Sequence, residues 1–277
     1  MRRPSDWIRT LLLALALGGI GSAHEDLQIQ IDRLTRQIEA EPGRAVLHFR
    51  RGELHRMHED WAASRLDLER AVALDPALFA AELSLGRLAS QAGDPARAKA
   101  HLDRFLAREP EHGEALMERG RARVRLGDRP AAIEDFNRAL ERLEAAWPEN
   151  YLERSEALRS EGRPDEAMRG LEAGVRKLGP ALPLQLALLD LELETARFDA
   201  ALTRLDEIAR ASERKDLWLA RRGEILRQAG RRDEANRAYA SALAAIESLP
   251  AARKKTKFTR DLESKVRAAM EATNEKR

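Results

Sequence analysis

Between residues 26 and 40 the apolar side chains Leu27, Ile31, Leu34 and Ile38 return every three or four positions among charged ones, the spacing of one buried stripe on an α-helix. Glu41-Pro42-Gly43 breaks the row, so this helix is predicted to end there. A longer rhythm follows. Gly52, Gly86, Gly120, Ser155, Leu189 and Gly223 stand 34, 34, 35, 34 and 34 positions apart. Twelve residues after each comes a small residue, Ser64, Ala98, Ala132, Ala167, Ala201 and Ala235, and four further on a large one, Leu68, Leu102, Phe136, Leu171, Leu205 and Tyr239. Gly93, Gly127, Gly162 and Gly230 mark a tight turn inside four units, and Pro76 and Pro110 close the first two.

The period has room for two amphipathic helices and a turn. Small residues at facing positions permit close helix approach, and the large residue one turn later fills the space between layers. A lone hairpin cannot bury its apolar face, so neighbours must stack, which predicts an all-α solenoid. At the far end Phe258, Leu262, Val266 and Ala269 again follow helical spacing and predict a closing helix, with the chain after Thr273 expected to fray.

The columns resemble the tetratricopeptide repeat, W-x2-L-G-x2-Y, then A-x3-F, then P. The resemblance implies a right-handed helical-hairpin solenoid with six repeats, 45–78, 79–112, 113–147, 148–181, 182–215 and 216–249, inside residues 45–249. A capping helix would fill 24–44, and 250–277 would hold a second capping helix and tail. Two columns depart from the family. Its Trp slot holds His48, Glu82, Leu116, Tyr151, Gln185 and Leu219, and its Tyr slot holds His55, Ala89, Arg123, Leu158, Glu192 and Leu226. The poorest packing is therefore expected in the fifth unit, which also has Leu189 in place of glycine.

In this family first-helix side chains line the inner curved surface and hold a peptide or protein. The resemblance directs attention there to Phe49, Arg50 and Arg56 in the first unit, and to Glu114, Glu118, Arg121 and Arg125 in the third. In the fourth it points to Glu149, Glu153 and Glu156, and in the sixth to Arg221, Glu224 and Arg227. An acidic middle between basic ends would favour a partner segment carrying Lys or Arg; the competing reading is a solvated face of paired charges. The Lys-and-Asn clamp for a C-terminal carboxylate is not present in these columns.

The N-terminus changes the charge picture. Arg2, Arg3 and Arg9 precede the apolar run Leu11 to Leu17, and Gly21 and Ala23 fit the small-residue positions before a cut. Residues 1–23 read as a bacterial signal peptide cleaved after Ala23, which implies a periplasmic or secreted protein with no membrane span after cleavage. An uncleaved anchor or a buried N-terminal helix are the alternatives. The 277-residue chain has a formal charge of +2. Losing three Arg and Asp6 with the signal leaves basic and acidic residues equal in number, so charge gives no reason to expect nucleic acid as a partner. At 43% hydrophobic the chain is rich enough to fold, and with no cysteine it has neither disulfides nor thiolate metal sites.

The residue after the turn is Asp60, Asp94 and Asp128 in the first three units but Arg163, Arg197 and Arg231 in the last three, so the array falls into two triplets. The extra residue of the 35-residue spacing and Trp147-Pro148 lie at their junction, where a change of superhelical curvature is expected. His24, His55 and His58 crowd the start of the mature chain, with His48 nearby, and offer nitrogen donors suited to copper or zinc; core or surface roles are the competing reading. The run Arg253, Lys254, Lys255, Thr256, Lys257 suits an anionic surface or a basic helix start. No phosphate-binding glycine loop, HExxH or nucleophile elbow occurs in the mature chain. The expectation is a non-enzymatic envelope scaffold without cofactor that binds a protein or peptide. An envelope copper or zinc protein and an accessory subunit of an envelope enzyme stand as alternatives.

Overall fold

The structure, a computed structural model, describes residues 26–210 and 212–275. The expected signal peptide and His24 lie outside the described residues. The chain divides into two compact units, Met1–Ala145 and Ala146–Arg277, and the described residues of both are helices and turns. In the first unit α1 (26–40) precedes three hairpins, α2 (Ala45–Met57) with α3 (Trp61–Leu74), α4 (Ala80–Gln91) with α5 (Pro95–Leu106), and α6 (Gly113–Arg125) with α7 (Arg129–Arg142). The second holds α8 (Pro148–Ser160) with α9 (Pro164–Leu178), α10 (Leu182–Glu194) with α11 (Phe198–Arg210), and α12 (Lys215–Gln228) with α13 (Arg232–Glu247). The short α14 (Ala251–Lys254) and the closing α15 (Lys257–Glu275) follow. Within each unit every hairpin helix packs on the next, and first helices also touch first helices, α2 on α4, α4 on α6 and α8 on α10.

The small and large columns meet inside one hairpin. A Cβ on Gly52 would lie 2.8 Å from Leu68, on Gly86 2.7 Å from Leu102, on Gly120 2.5 Å from the Phe136 ring and on Gly223 2.4 Å from the Tyr239 ring. The large residue thus lies on the backbone of its own first helix, and glycine is what lets it do so. It also bridges layers as the period predicts, since Leu68 clusters with Leu85 and Leu88 of the next hairpin.

The turn glycines Gly93, Gly127, Gly162 and Gly230 all have positive φ, between 70° and 84°. The first and fifth hairpins need the same left-handed residue and put Glu59 (φ 62°) and Ala196 (φ 56°) there. A left-handed L-residue costs roughly 1–2 kcal/mol, and Ala196→Gly gives back part of this in unfolded-state entropy. The full-length variant should gain about 0.5–1 kcal/mol in urea denaturation; a loss would show that the turn is not left-handed.

The triplets differ in how second helices start. Asp60, Asp94 and Asp128 are N-caps whose carboxylates accept backbone N–H groups of Ala63, Arg97 and Ala131 at 3.1, 3.0 and 3.4 Å. Arg163, Arg197 and Arg231 reach carboxylates instead: Glu166 and Asp165 at 2.6 Å for the first two, Glu234 and Asp199 at 2.7 Å for the third.

α10 and α11 of the fifth unit pack on each other least closely of the six hairpins, as expected there, while the polar residues in the two aromatic slots find partners inside the core. Each is answered from one position of the second helix, the column Asp67, His101, Asp135, Gly170, Arg204 and Ala238. Asp67 takes both Arg51 Nε (2.7 Å) and Nη2 (2.8 Å) and lies 3.3 Å from His48 Nδ1. His101 Nδ1 is 2.7 Å from Glu82. Asp135 accepts from Arg119 at 2.6 and 2.9 Å and pairs with Arg123 at 2.8 Å. Arg204 donates to Gln185 at 2.8 Å and to Glu192 at 2.6 Å, answering both slots of the fifth unit. Where the slots are apolar, in the fourth and sixth units, the column is Gly170 and Ala238. A buried charge is tolerated when it is paired and its hydrogen-bonding capacity is met.

At the C-terminal end Val266 is buried, and Leu262, Ala269 and Met270 pack on the core of the last hairpins. Phe258 does not join them; it is 53% exposed, with the Arg214 guanidinium 5.0 Å from its ring centre. The helix also runs beyond Thr273, where fraying was expected: Thr273 Oγ1 donates to the Ala269 carbonyl at 2.6 Å and Asn274 accepts from Asn236 at 2.7 Å. Arg214 grips buried Asp216 with Nε at 2.9 Å and Nη2 at 2.6 Å. Those hydrogen bonds hold the Asp216 carboxyl below its ordinary range. A carboxyl depressed in the folded state stabilises fully above the unfolded value, near pH 3.9, and the contribution disappears as pH falls through the folded value. Asp216→Asn should therefore be less stable than wild type at neutral pH. The gap should close in thermal melts as pH falls below about 4.

Candidate functional site

First helices of neighbouring hairpins run side by side, so the residue after each small-column position recurs on one face of each unit. In the second unit that column is Glu156, Asp190 and Glu224, all acidic. A groove of about 480 Å³ lies along it across α8, α10 and α12, with Ser155, Ala187 and Leu191 among its smaller lining residues. Arg159 spans it, donating to Glu156 at 2.9 and 3.0 Å and to Glu194 at 2.8 Å. Arg221 donates to Glu224 at 2.8 Å and stands 3.9 Å from Asp190. Four carboxylates thus face two guanidinium groups. The pairs are exposed, Asp190 most of all with 68% of its side chain accessible, so water screens them and a ligand can exchange them cheaply.

This groove brings together Glu156 and Arg221 of the residues singled out from sequence. Glu224 adjoins through Arg221, while Glu149 is exposed in the first turn of α8 and Glu153 is half-buried. Arg227 is exposed near the end of α12. Asp190, Arg159 and Glu194 were missed, although reading the column one past the glycine would have found Asp190.

In the first unit the predicted charges are largely committed to neighbours. Arg56 binds Glu53 at 3.1 Å and Gln91 at 3.3 Å, Glu118 accepts from Arg121 at 2.9 Å, and Arg125 donates to the Ser90 carbonyl at 3.1 Å. Glu114 accepts from Arg87, and Arg50 is exposed. Phe49 is half-buried and packs against the Leu68, Leu85, Leu88 cluster.

The histidines near the start of the chain face acids. His48 is buried between Asp67 and the Pro42 carbonyl, and His55 lies 3.9 Å from both Asp60 and Asp67. Burial holds the His55 imidazole below its ordinary range, against the pull of both carboxylates. Among the described residues no three His, Cys, Asp or Glu side chains are placed to hold a metal ion. His24, which the expected set with His55 and His58 includes, lies outside the described residues.

Sequence families match two stretches. The tetratricopeptide repeat matches residues 83–151 and a tetratricopeptide repeat-like domain residues 182–261, together more than half of the chain. The chain is a tetratricopeptide-repeat protein. Solved structures of the same architecture include YrrB, described as a TPR protein with an unusual peptide-binding site. YrrB is 20% identical, with TM-score 0.56 over 64% of this chain and 90% of that one. A tetratricopeptide repeat protein from Parabacteroides merdae is 19% identical, with TM-score 0.52 over 94% and 96%. Pseudomonas aeruginosa pilF is 15% identical, with TM-score 0.51 over 80% and 97%. At these identities the likeness shows the fold. A search of curated proteins finds no match. Tetratricopeptide repeats serve as protein-binding scaffolds, and among the described residues no helix is long and apolar enough to cross a membrane.

Proposed function

We propose that this tetratricopeptide-repeat protein is a non-catalytic scaffold of the bacterial cell envelope that binds a protein or peptide along the first-helix face. The observation that carries the reading is the groove across α8, α10 and α12, lined by Glu156 and Asp190, with Glu224 of the same column beside it through Arg221. Acids outnumber cations there, which favours a segment bearing Lys or Arg, because complementary potentials steer encounter and set register. The peptide-binding site of YrrB lends the reading support by fold alone. Export rests on the charged, apolar and small-residue order of residues 1–23; N-terminal sequencing of the exported protein should begin at His24.

Proximity crosslinking in envelope extracts tests the binding surface. Reversing the row with Glu156→Lys, Asp190→Lys and Glu224→Lys should remove the partner recovered by the wild type while helix content and melting temperature hold. Recovery of the same partner at the same yield would show that binding lies elsewhere.

A further inference from the structure

The second helices of the first unit carry a surface that first-helix binding does not use. Two adjacent columns on these helices have opposite characters in the third, fourth and fifth hairpins, whereas the second and sixth carry Lys99 and Asn236 in the first of the two columns. Ile133, Met168 and Leu202 are buried, while the next residues, Glu134, Arg169 and Thr203, are exposed, as is Arg237 of the sixth hairpin. In the first hairpin the two characters are exchanged. Arg65 stands where the buried apolar residue would go, and Leu66 sits in the outward column with 67% of its surface accessible. An apolar side chain at an outward position is unremarkable alone. Here it borders a cleft that Arg65 also lines.

That cleft, of about 780 Å³, runs between α3 and α5 over α4. Its floor is Leu85, Leu88 and Ala89, and its α3 wall carries Trp61 and Leu66. The α5 wall is basic: Arg97, His101 and Arg104 are spaced i, i+4, i+7 and share one helix face, the two Arg being about 10 Å apart along the axis. The acids of the lining are Glu69 on α3 and Asp94, which caps α5 and also pairs with Arg97 at 3.3 Å; Arg104 stands 3.4 Å from Glu82, and Arg65 makes no hydrogen bond or ion pair among the described residues, so cations remain in excess.

We propose that this cleft receives an amphipathic helix of another protein, with apolar side chains against Leu66 and the α4 floor and carboxylates one or two turns apart against Arg97 and Arg104. Ridges of one more helix suit a trough between two helices lying on a third. Charge decides the kind of helix, since a basic one would bring cations to Arg65, Arg97 and Arg104, and a second copy of this chain would meet the cleft with the same Arg-lined face.

Selection of a displayed library of helical peptides on the full chain, with Leu66→Glu as counter-selection, tests this. Glu134 already occupies the same outward position, so the variant should fold and melt like the wild type. Enriched peptides should carry apolar residues three and four apart flanked by Asp or Glu. The best of them, as a synthetic peptide, should bind about tenfold or more weakly to Leu66→Glu and to Arg97→Glu/Arg104→Glu. It should bind unchanged to the Glu156→Lys/Asp190→Lys/Glu224→Lys protein, which separates this cleft from the first-helix groove. No enrichment over the counter-selection, enrichment of Lys- or Arg-rich peptides, or self-association abolished by Leu66→Glu would each overturn the proposal.

Discussion

Glu192→Ala should destabilise the protein by about 3–5 kcal/mol, because it leaves the largely buried Arg204 guanidinium without a carboxylate. The triple variant Gln185→Leu/Glu192→Leu/Arg204→Ala should lie within about 1 kcal/mol of wild type. It rewrites the fifth hairpin with the residues the sixth uses at the same positions, Leu219, Leu226 and Ala238. Leaving one charge unpaired in a core is costly, whereas exchanging a whole paired set for apolar residues of similar volume is close to neutral. Urea denaturation of the full chain would read both. A mild single variant, or a triple variant as damaged as the single one, would show that Arg204, Gln185 and Glu192 do not act as a unit.

Gly223→Ala carries the next largest effect, about 1–3 kcal/mol of overpacking. The added methyl would sit 2.4 Å from the Tyr239 ring, which is fully buried and cannot swing aside. Tyr239→Leu in the same chain should recover part of the loss, since Leu fills that column in four of the six hairpins. Gly43→Ala is the control: nothing lies within 4 Å of a Cβ there, and it should change stability by less than about 0.5 kcal/mol. Equal costs at the two glycines would mean that contact with the ring does not set the penalty.

Most of the architecture was legible because its cause is periodic. A glycine and a large residue 16 positions later recur because each pair makes the same contact, from Gly52 with Leu68 to Gly223 with Tyr239. What could not be read is what answers a departure. His48, Glu82, Gln185 and Glu192 stood out as polar residues in aromatic slots, but a sequence does not say which of many charged neighbours reaches them. Only the fold shows that one column of the second helix supplies a partner to each. Asp190 escaped for a related reason: on solvated helices with 35% charged residues overall, an acid that faces a groove looks like one that faces water. Phe258 kept helical spacing with Leu262 and Val266, yet spacing fixes a face and not its cover, and Arg214 lies over that ring. Glu59 and Ala196 show that backbone geometry can persist where the residue that favours it has been lost.

A photo-crosslinking residue placed at Ala187, inside the groove of the second unit, tests partner binding on the first helices most directly. Expressed in the native compartment, it should give a discrete crosslinked partner that disappears when Glu156, Asp190 and Glu224 are changed to Lys. The same residue at Arg169, on the exposed face of a second helix, should give none. A partner captured equally from Arg169, or one indifferent to the reversed charges at Ala187, would contradict binding in the groove.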